Sequence, residues 1–367
     1  MKRILISGYY GFNNIGDEAI LRLMIDNLRA QLPDIDLTIL SHNPEDTAGR
    51  YGVHSVNRMN PLLIFREIQR CDLLISGGGS LLQDATSQRS LLYYLSILNL
   101  AQFLHKKTFI YSQGIGPLNS EKNRRRTAKT LRRADGIVVR DQQSRALLEQ
   151  IGLDITDVHV TTDPVLRAQP PGLKQGADIL RREGFPDRQP GRVRVGWAMK
   201  AGGGDDFVRR QEEAIRWLQR ERNADVILIP FHEAQDRSVA RDMKQRLGES
   251  VCLLEGHYLS EDLLSAVGNL DVMVGVRLHS MIYAAVMGVP MLGISYDPKI
   301  DSFLESIGQS PVSDAESFSL KVFAPAFDRL TAQYDQVHAD IISRVCRLSQ
   351  SLDINETLIA GLLEEST

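Results

Sequence analysis

Short apolar runs alternate with stretches of helical spacing through most of this chain. Apolar runs without internal alternation suit strands buried on both faces. The amphipathic stretches between them suit the helical crossovers that parallel strands require. The first half predicts strands at residues 4–7, 37–40, 73–76, 108–111 and 136–139, with a last short one at 158–160, and helices at 17–31, 91–104, 123–133 and 141–151. Residues 163–176 interrupt the pattern. Pro164, Pro170, Pro171 and Gly172 fall there without apolar periodicity, so the segment reads as a linker. Alternation then resumes, with strands at 194–197, 226–229, 272–276 and 291–294 and helices at 206–222, 235–247, 260–267, 278–287 and 298–306. An amphipathic helical tail follows from 325 to 363, broken near Asp353.

The expected architecture is therefore α/β, with two doubly wound Rossmann-like domains facing a cleft. The expected boundaries are 1–165, a linker at 166–176, a second domain at 177–324 and the helical tail at 325–367. Length agrees, because 367 residues exceed what one core usually serves. The net charge of −3 gives no reason to expect a nucleic-acid partner. Cys71, Cys252 and Cys346 lie far apart with no CxxC spacing, so they read as reduced, buried thiols and not as a zinc site or disulfide framework. No metal or cofactor is expected. The opening MKRILISGYYGF sets a basic pair before apolar residues, but the run breaks at Gly8 and fits a buried strand better than a signal segment. No run approaches transmembrane length, and a cytoplasmic location is expected. The basic cluster of Lys122, Arg124, Arg125, Arg126, Lys129, Arg132 and Arg133 reads as a solvated helix face or as an attraction for anionic lipid at the inner face of the membrane.

Open α/β sheets bind ligands beyond the carboxyl ends of their strands, so the segments after each strand carry the candidate chemistry. The first strand leads into Gly8–Glu18, where Asp17 and Glu18 sit at a helix start. They are either a capping Asp with a first-turn Glu or acceptors for sugar hydroxyls, and they would repel a pyrophosphate. Gly77, Gly78 and Gly79 end the third strand, more glycine than a turn requires, which suggests close approach of a ligand. Ser80, Gln83 and Asp84 follow as hydroxyl partners. Arg140 after the fifth strand binds an anion or pairs with Asp141. In the second half, Lys200 ends a strand before a glycine-rich loop at 202–204. His232 ends the next as a hydrogen-bonding group or a satisfied loop histidine, without the HExxH spacing that zinc needs. The sharpest pattern is Arg277-Leu278-His279-Ser280, where a buried strand delivers two cationic groups to a helix start whose N–H groups already favour an anion. The alternative is a structural ion pair for Arg277 and an N-terminal helix position for His279. A bound anion would raise the pKa of His279 and poise it as a proton donor. Lys299, in Tyr296-Asp297-Pro298-Lys299, completes a site for a small, multiply charged anion.

Taken together, these segments resemble the polysaccharide pyruvyl transferase family, in particular its bacterial CsaB-type members. The resemblance rests on Gly8-Tyr9-Tyr10-Gly11, Asn14 to Glu18, Gly77 to Asp84, Gln113 to Pro117, Arg140-Asp141, Arg277 to Ser280 and Tyr296 to Lys299, in that order over nearly the whole chain. It implies a GT-B-like fold and transfer of pyruvyl from phosphoenolpyruvate to a hexosamine, commonly N-acetylmannosamine, on a lipid-linked cell-wall polysaccharide as a 4,6-ketal. It also implies Arg140, His279 and Lys299 at the donor site. With it, His279 and Asp17 are the expected catalytic groups. Arg140, Arg277, Leu278, Ser280 and Lys299 are expected to bind the donor, and Glu18, Gly79, Ser80, Gln83, Asp84 and His232 the acceptor. The rivals are a GT-B glycosyltransferase using a nucleotide sugar, a dinucleotide oxidoreductase, which the missing GxGxxG disfavours, and a non-catalytic polysaccharide binder.

Overall fold

Burial on both faces selects the strands. In the computed structural model, which describes residues 1–32, 34–85, 87–200, 202 and 204–364 (side chains at 233 and 234 excepted), every expected strand forms within a few residues of its expected bounds. The chain divides into two compact units, Met1–Arg167 with Leu348–Thr367, and Ala168–Arg347.

The first unit holds β1 (Lys2–Tyr10), α1 (Ile15–Gln31), β2 (Ile35–Ser41), α2 (Pro44–Tyr51), β3 (His54–Asn57), α3 (Pro61–Arg70), β4 (Leu73–Ser76) and β5 (Gly79–Leu82). It continues with α4 (Gln88–Phe103), β6 (Lys107–Ile115), α5 (Glu121–Leu131), β7 (Gly136–Val139), α6 (Gln142–Gln150) and β8 (Val158–Val160). The sheet is parallel, in the order β3-β2-β1-β4-β6-β7-β8, with β5 beside β6. Its order reverses between β1 and β4, where Ile4 pairs with Leu37 on one side and Leu73 on the other. That reversal is the point at which crossovers leave in opposite directions and a crevice opens at the carboxyl edge.

The second unit runs α7 (Leu173–Arg182), β9 (Val193–Ala198), α8 (Gly204–Glu221), β10 (Ala224–Leu228), α9 (Glu233–Leu247), β11 (Val251–Leu253), α10 (Ser260–Val267) and β12 (Val272–Gly275). It goes on through α11 (Leu278–Val286), β13 (Met291–Ser295), α12 (Pro298–Ser306), β14 (Ser313–Asp314), α13 (Leu320–Ala332) and α14 (Tyr334–Gln350), before α15 (Asp353–Glu364) returns to the first unit. Its parallel sheet is ordered β11-β10-β9-β12-β13-β14 and reverses between β9 and β12.

Several elements lie outside the sequence expectations. The β3 segment, HSVN, is a largely exposed edge with one buried residue, so no apolar run marks it. The α2 segment is short and polar, and β11 and β14 are short edge strands. Part of the expected linker is ordered, as a 3₁₀ turn at Pro164–Arg167 and the start of α7. The stretch read as one helical tail is shared: its first part belongs to the second unit, while α15 packs in the first, where buried Glu356 accepts from Tyr111 Oη at 2.5 Å. Of the three thiols only Cys71 is buried; Cys252 is half-buried and Cys346 exposed, which corrects the expectation for those two.

Candidate active site

In the second unit the reversal of the sheet decides what meets. Lys200 follows β9 and Arg277 follows β12, the two strands flanking the reversal, so residues far apart in sequence come to one edge. Arg277 occupies the N-cap position of α11 in extended backbone. Its Nε and Nη2 donate to the two Asp236 oxygens at 3.0 and 2.5 Å, and Nη2 also reaches Gln235 Oε1 at 3.1 Å. Asp236, in the first turn of α9, is fully buried and accepts in addition from the backbone N–H of His232 at 2.9 Å. Arg277 therefore arrives with much of its fork committed. That is the structural ion pair the sequence left open, and it corrects the picture of Arg277 as an uncommitted donor of two hydrogen bonds to a ligand.

Around this pair lie the remaining cations. Lys200 Nζ sits 3.8 Å from the centre of the Tyr296 ring. Burial lowers its pKa, and neighbouring Arg277 and then Lys299 push the same way, against Asp297 and Asp236. Tyr296 is pushed up to about 12, chiefly by burial, although Arg277 opposes the shift. Lys299 pairs with Asp297, the N-cap of α12, at 3.0 Å, with both side chains partly exposed. His279, in the first turn of α11, is half-buried. His232 caps α9 with Nδ1 buried and lacking a hydrogen-bond partner among the described residues. Burial and then Arg277 lower its pKa. Leu278 and Ser280 are buried, and the Ser280 hydroxyl donates to the Arg277 carbonyl at 2.5 Å, so neither side chain is offered to a donor. Residues 201 and 203 of the glycine-rich loop lie outside the described residues.

The first unit assembles a second group at the β1/β4 reversal. Asn14, and not Asp17, is the N-cap of α1, its side chain accepting from the Gly16 N–H at 3.2 Å. Asp17 lies against Gly79, where a Cβ would fall 2.8 Å from Oδ1 and where φ is +88°. Its charge adds to burial in raising the pKa of Tyr9 and Tyr10. Gly77 and Gly78 are explained by packing. A Cβ on Gly77 would meet Tyr10 Oη at 2.1 Å, and one on Gly78 would meet Ile20 at 2.8 Å. Tyr9, Phe12 and His42 stack face to face beside this edge, with centroids 4.2 and 4.4 Å apart.

Four expected ligand groups of this unit are already engaged. Glu18 is buried and accepts from the Gly11 N–H at 2.8 Å and Tyr51 Oη at 2.7 Å, holding the loop in place of facing an acceptor. Asp84 accepts from the Asn119 and Ser120 N–H groups at 2.7 and 3.0 Å and the Asn123 side chain at 2.9 Å. Burial raises its pKa, but those donors outweigh it and hold the carboxyl below the usual range. Arg140 is buried against Gly114 and donates to Ser80 Oγ at 3.0 Å, Asp141 at 3.3 Å and Asp163 at 3.4 Å. Two carboxylates flank it, and the Ser80 hydroxyl accepts one of its N–H groups, so both side chains are held in place by contacts within the unit. Gln83, half-buried, ends the segment after β5.

What the sequence reading missed is Asp236 as the partner of Arg277 and Lys200 as its neighbour. Lys200 was visible at a strand end, but only strand order puts β9 next to β12.

The sequence model for polysaccharide pyruvyl transferases matches residues 14–298, more than half of the chain. The chain belongs to the polysaccharide pyruvyl transferase family. The matched span of this pyruvyl transferase family member takes in Asp17, Gly79, Lys200, Asp236, Arg277 and His279. It makes the chain a transferase and gives it a polysaccharide acceptor. No curated protein matches in sequence. Among solved structures, a putative UDP-N-acetylglucosamine 2-epimerase from Listeria monocytogenes is 14% identical with a TM-score of 0.69, covering 100% of this chain and 98% of that one. Alr3699/HepE from Anabaena, solved with UDP and glucose, is 12% identical with a TM-score of 0.65 over 100% of both chains. The UDP-GlcNAc 2-epimerase from Neisseria meningitidis, bound to UDP-GlcNAc, is 13% identical with a TM-score of 0.63 over 100% of both. These likenesses show the fold, GT-B-like and Rossmann-like, and no more. No helix among the described residues is long and apolar enough to cross a membrane, and none of their His, Cys, Asp and Glu side chains form a metal-holding group.

Proposed function

We propose that this pyruvyl transferase moves the pyruvyl group of phosphoenolpyruvate onto a hexosamine of a lipid-linked cell-wall polysaccharide and closes a 4,6-ketal. N-acetylmannosamine is the favoured sugar on the family resemblance. What supports the donor half is Lys200 and Arg277 at the ends of β9 and β12, Lys299 close enough to act on Lys200, and His279 in the first turn of the helix whose N-cap is Arg277. A compact donor carrying carboxylate and phosphate suits three cations set among two carboxylates. Arg277 acts there chiefly as a fixed charge, oriented by Asp236.

Protonation of the donor methylene carbon, by His279 in this reading, places positive charge at C2. A sugar hydroxyl attacks C2 and releases its proton to a base, for which Asp17 is the candidate. The C2–O bond to phosphate then breaks, phosphate leaves with the electron pair, and the second hydroxyl closes the ketal. One proton ends on the new methyl group and the other in solution or on phosphate, so the step needs no oxidant or cofactor.

A nucleotide-sugar glycosyltransferase is the second reading, favoured by fold relatives solved with UDP or a UDP-sugar. Incubating the protein with phosphoenolpyruvate and a hexosamine glycoside, then weighing the product and measuring released phosphate, separates the two. A ketal-sized mass gain with equimolar phosphate is expected. Consumption of a UDP-sugar with phosphoenolpyruvate untouched would overturn the proposal.

A further inference from the structure

Among the described residues, ten large hydrophobic side chains are exposed, and five of them, Met59, Leu62, Phe65, Leu92 and Phe103, belong to α3, the turn before it and α4. Monomeric proteins scatter such residues singly; concentration on one layer calls for a partner. The helices α3, α4 and α5 form that layer, on one face of the first sheet. Tyr93 and Tyr94 of α4 bond to Arg58, just before Met59, and Asn99 and Gln102 of α4 bond to Thr130 of α5. On α3 the buried side is Ile64, Glu67 and Ile68, which leaves Leu62, Phe65, Arg66 and Gln69 outward at helical spacing.

Charge selects the partner. The three helices carry eight basic residues against two acidic ones, while the whole chain is at −3. Both are paired within the layer, buried Glu67 with Arg66 and Arg70 and Glu121 with Arg125, which leaves the excess of positive charge chiefly on α5. Exposed apolar side chains interleaved with arginine and lysine match the boundary between anionic headgroups and acyl chains. A protein partner would need its own acidic rim. Parallel winding adds a direction: each of these helices starts at the carboxyl edge of the sheet, where Asp17 and Gly79 lie. Met59, Leu62, Leu92, Lys122 and Arg125 are all in or near those first turns.

The geometry points to the α3–α4–α5 layer as a docking surface for an anionic lipid bilayer, which brings the acceptor edge of the first unit to the membrane. Its consequence for turnover rests on the transfer reading above; the lipid contact itself does not.

The test uses full-length protein and sedimentation with vesicles of phosphatidylcholine alone and of phosphatidylcholine mixed with phosphatidylglycerol. Pelleting with the anionic vesicles, weakened by salt and far lower with neutral ones, is expected. Leu62→Asp with Phe65→Asp, and separately Arg125→Glu with Arg126→Glu, should each lower anionic partition by about ten-fold or more, with melting temperatures unchanged. Wild-type protein that stays in the supernatant overturns the proposal, as do variants that pellet like wild type. A shift in oligomeric state on Leu62→Asp with Phe65→Asp, without vesicle binding, overturns it too and assigns the face to a second copy. Turnover of a soluble hexosamine glycoside, run alongside, should survive in both variants. Its absence in wild type would sink the transfer reading and leave the vesicle result standing.

Discussion

Arg277 turns Nε and Nη2 onto the two oxygens of Asp236, at 3.0 and 2.5 Å, so the central cation of the second unit is held in one orientation by a fully buried carboxylate. A free arginine at a strand end would spread over several rotamers. A paired one presents a fixed field to whatever enters, at the cost of much of its own donor capacity.

Asp236→Ala leaves that partly buried guanidinium without its counter-charge. A loss of about 1–3 kcal/mol is expected, the cost of stripping a charged partner from a group that keeps some contact with solvent and with Gln235. Urea unfolding monitored by fluorescence checks it, and an unchanged midpoint would show that the pair is not formed in solution.

Lys200→Met should raise KM for phosphoenolpyruvate by ten-fold or more (about 1.4 kcal/mol per decade) while leaving stability near wild type. The pH dependence has a definite sign. Burial, with Arg277 and Lys299 beside it, lowers the Lys200 pKa, so the proton is lost below the ordinary lysine value of about 10.4. Donor affinity should therefore weaken as pH rises through that depressed value, and Lys200→Met should flatten this alkaline limb. An alkaline limb of equal steepness in the variant would remove Lys200 from the donor site.

Two carboxylates adjacent in sequence should behave differently. Glu18→Ala strips partners from Gly11 and Tyr51 and should lower the melting temperature along with activity. Asp17→Asn should keep the fold and reduce kcat by about 10²–10⁴-fold, the span of general-base catalysis. Equal loss of stability in both variants would reduce Asp17 to a structural group.

His279→Ala should abolish pyruvylation and leave the melting temperature unchanged, because the ring is only half-buried at a helix start. Near-normal turnover takes His279 out of the proton transfer.

Gly79→Ala forces an L side chain into φ +88° and drives a Cβ to 2.8 Å from Asp17 Oδ1. A loss of about 1–3 kcal/mol follows from backbone strain alone, and displacement of Asp17 should depress kcat as well. Denaturant unfolding and steady-state rates on the same preparation test both halves.

The order of buried runs along the chain was enough to determine two parallel sheets, because a strand covered on both faces must be apolar throughout and its crossover must be helical. Motifs at strand ends likewise marked Asp17, Gly79, Arg277, His279 and Lys299 as candidates. Edge elements such as β3 and β14 escaped, since a strand with one covered neighbour needs few apolar residues. Only tertiary structure decided which strands adjoin, and so that Lys200 after β9 joins Arg277 after β12. It also decided which charged groups are committed to partners, as Glu18, Asp84 and Arg140 are. The sequence states that a side chain bears charge; the fold fixes whether a neighbour within 3 Å or so has already taken it, because hydrogen bonds act over ångströms and those neighbours lie up to dozens of residues away along the chain.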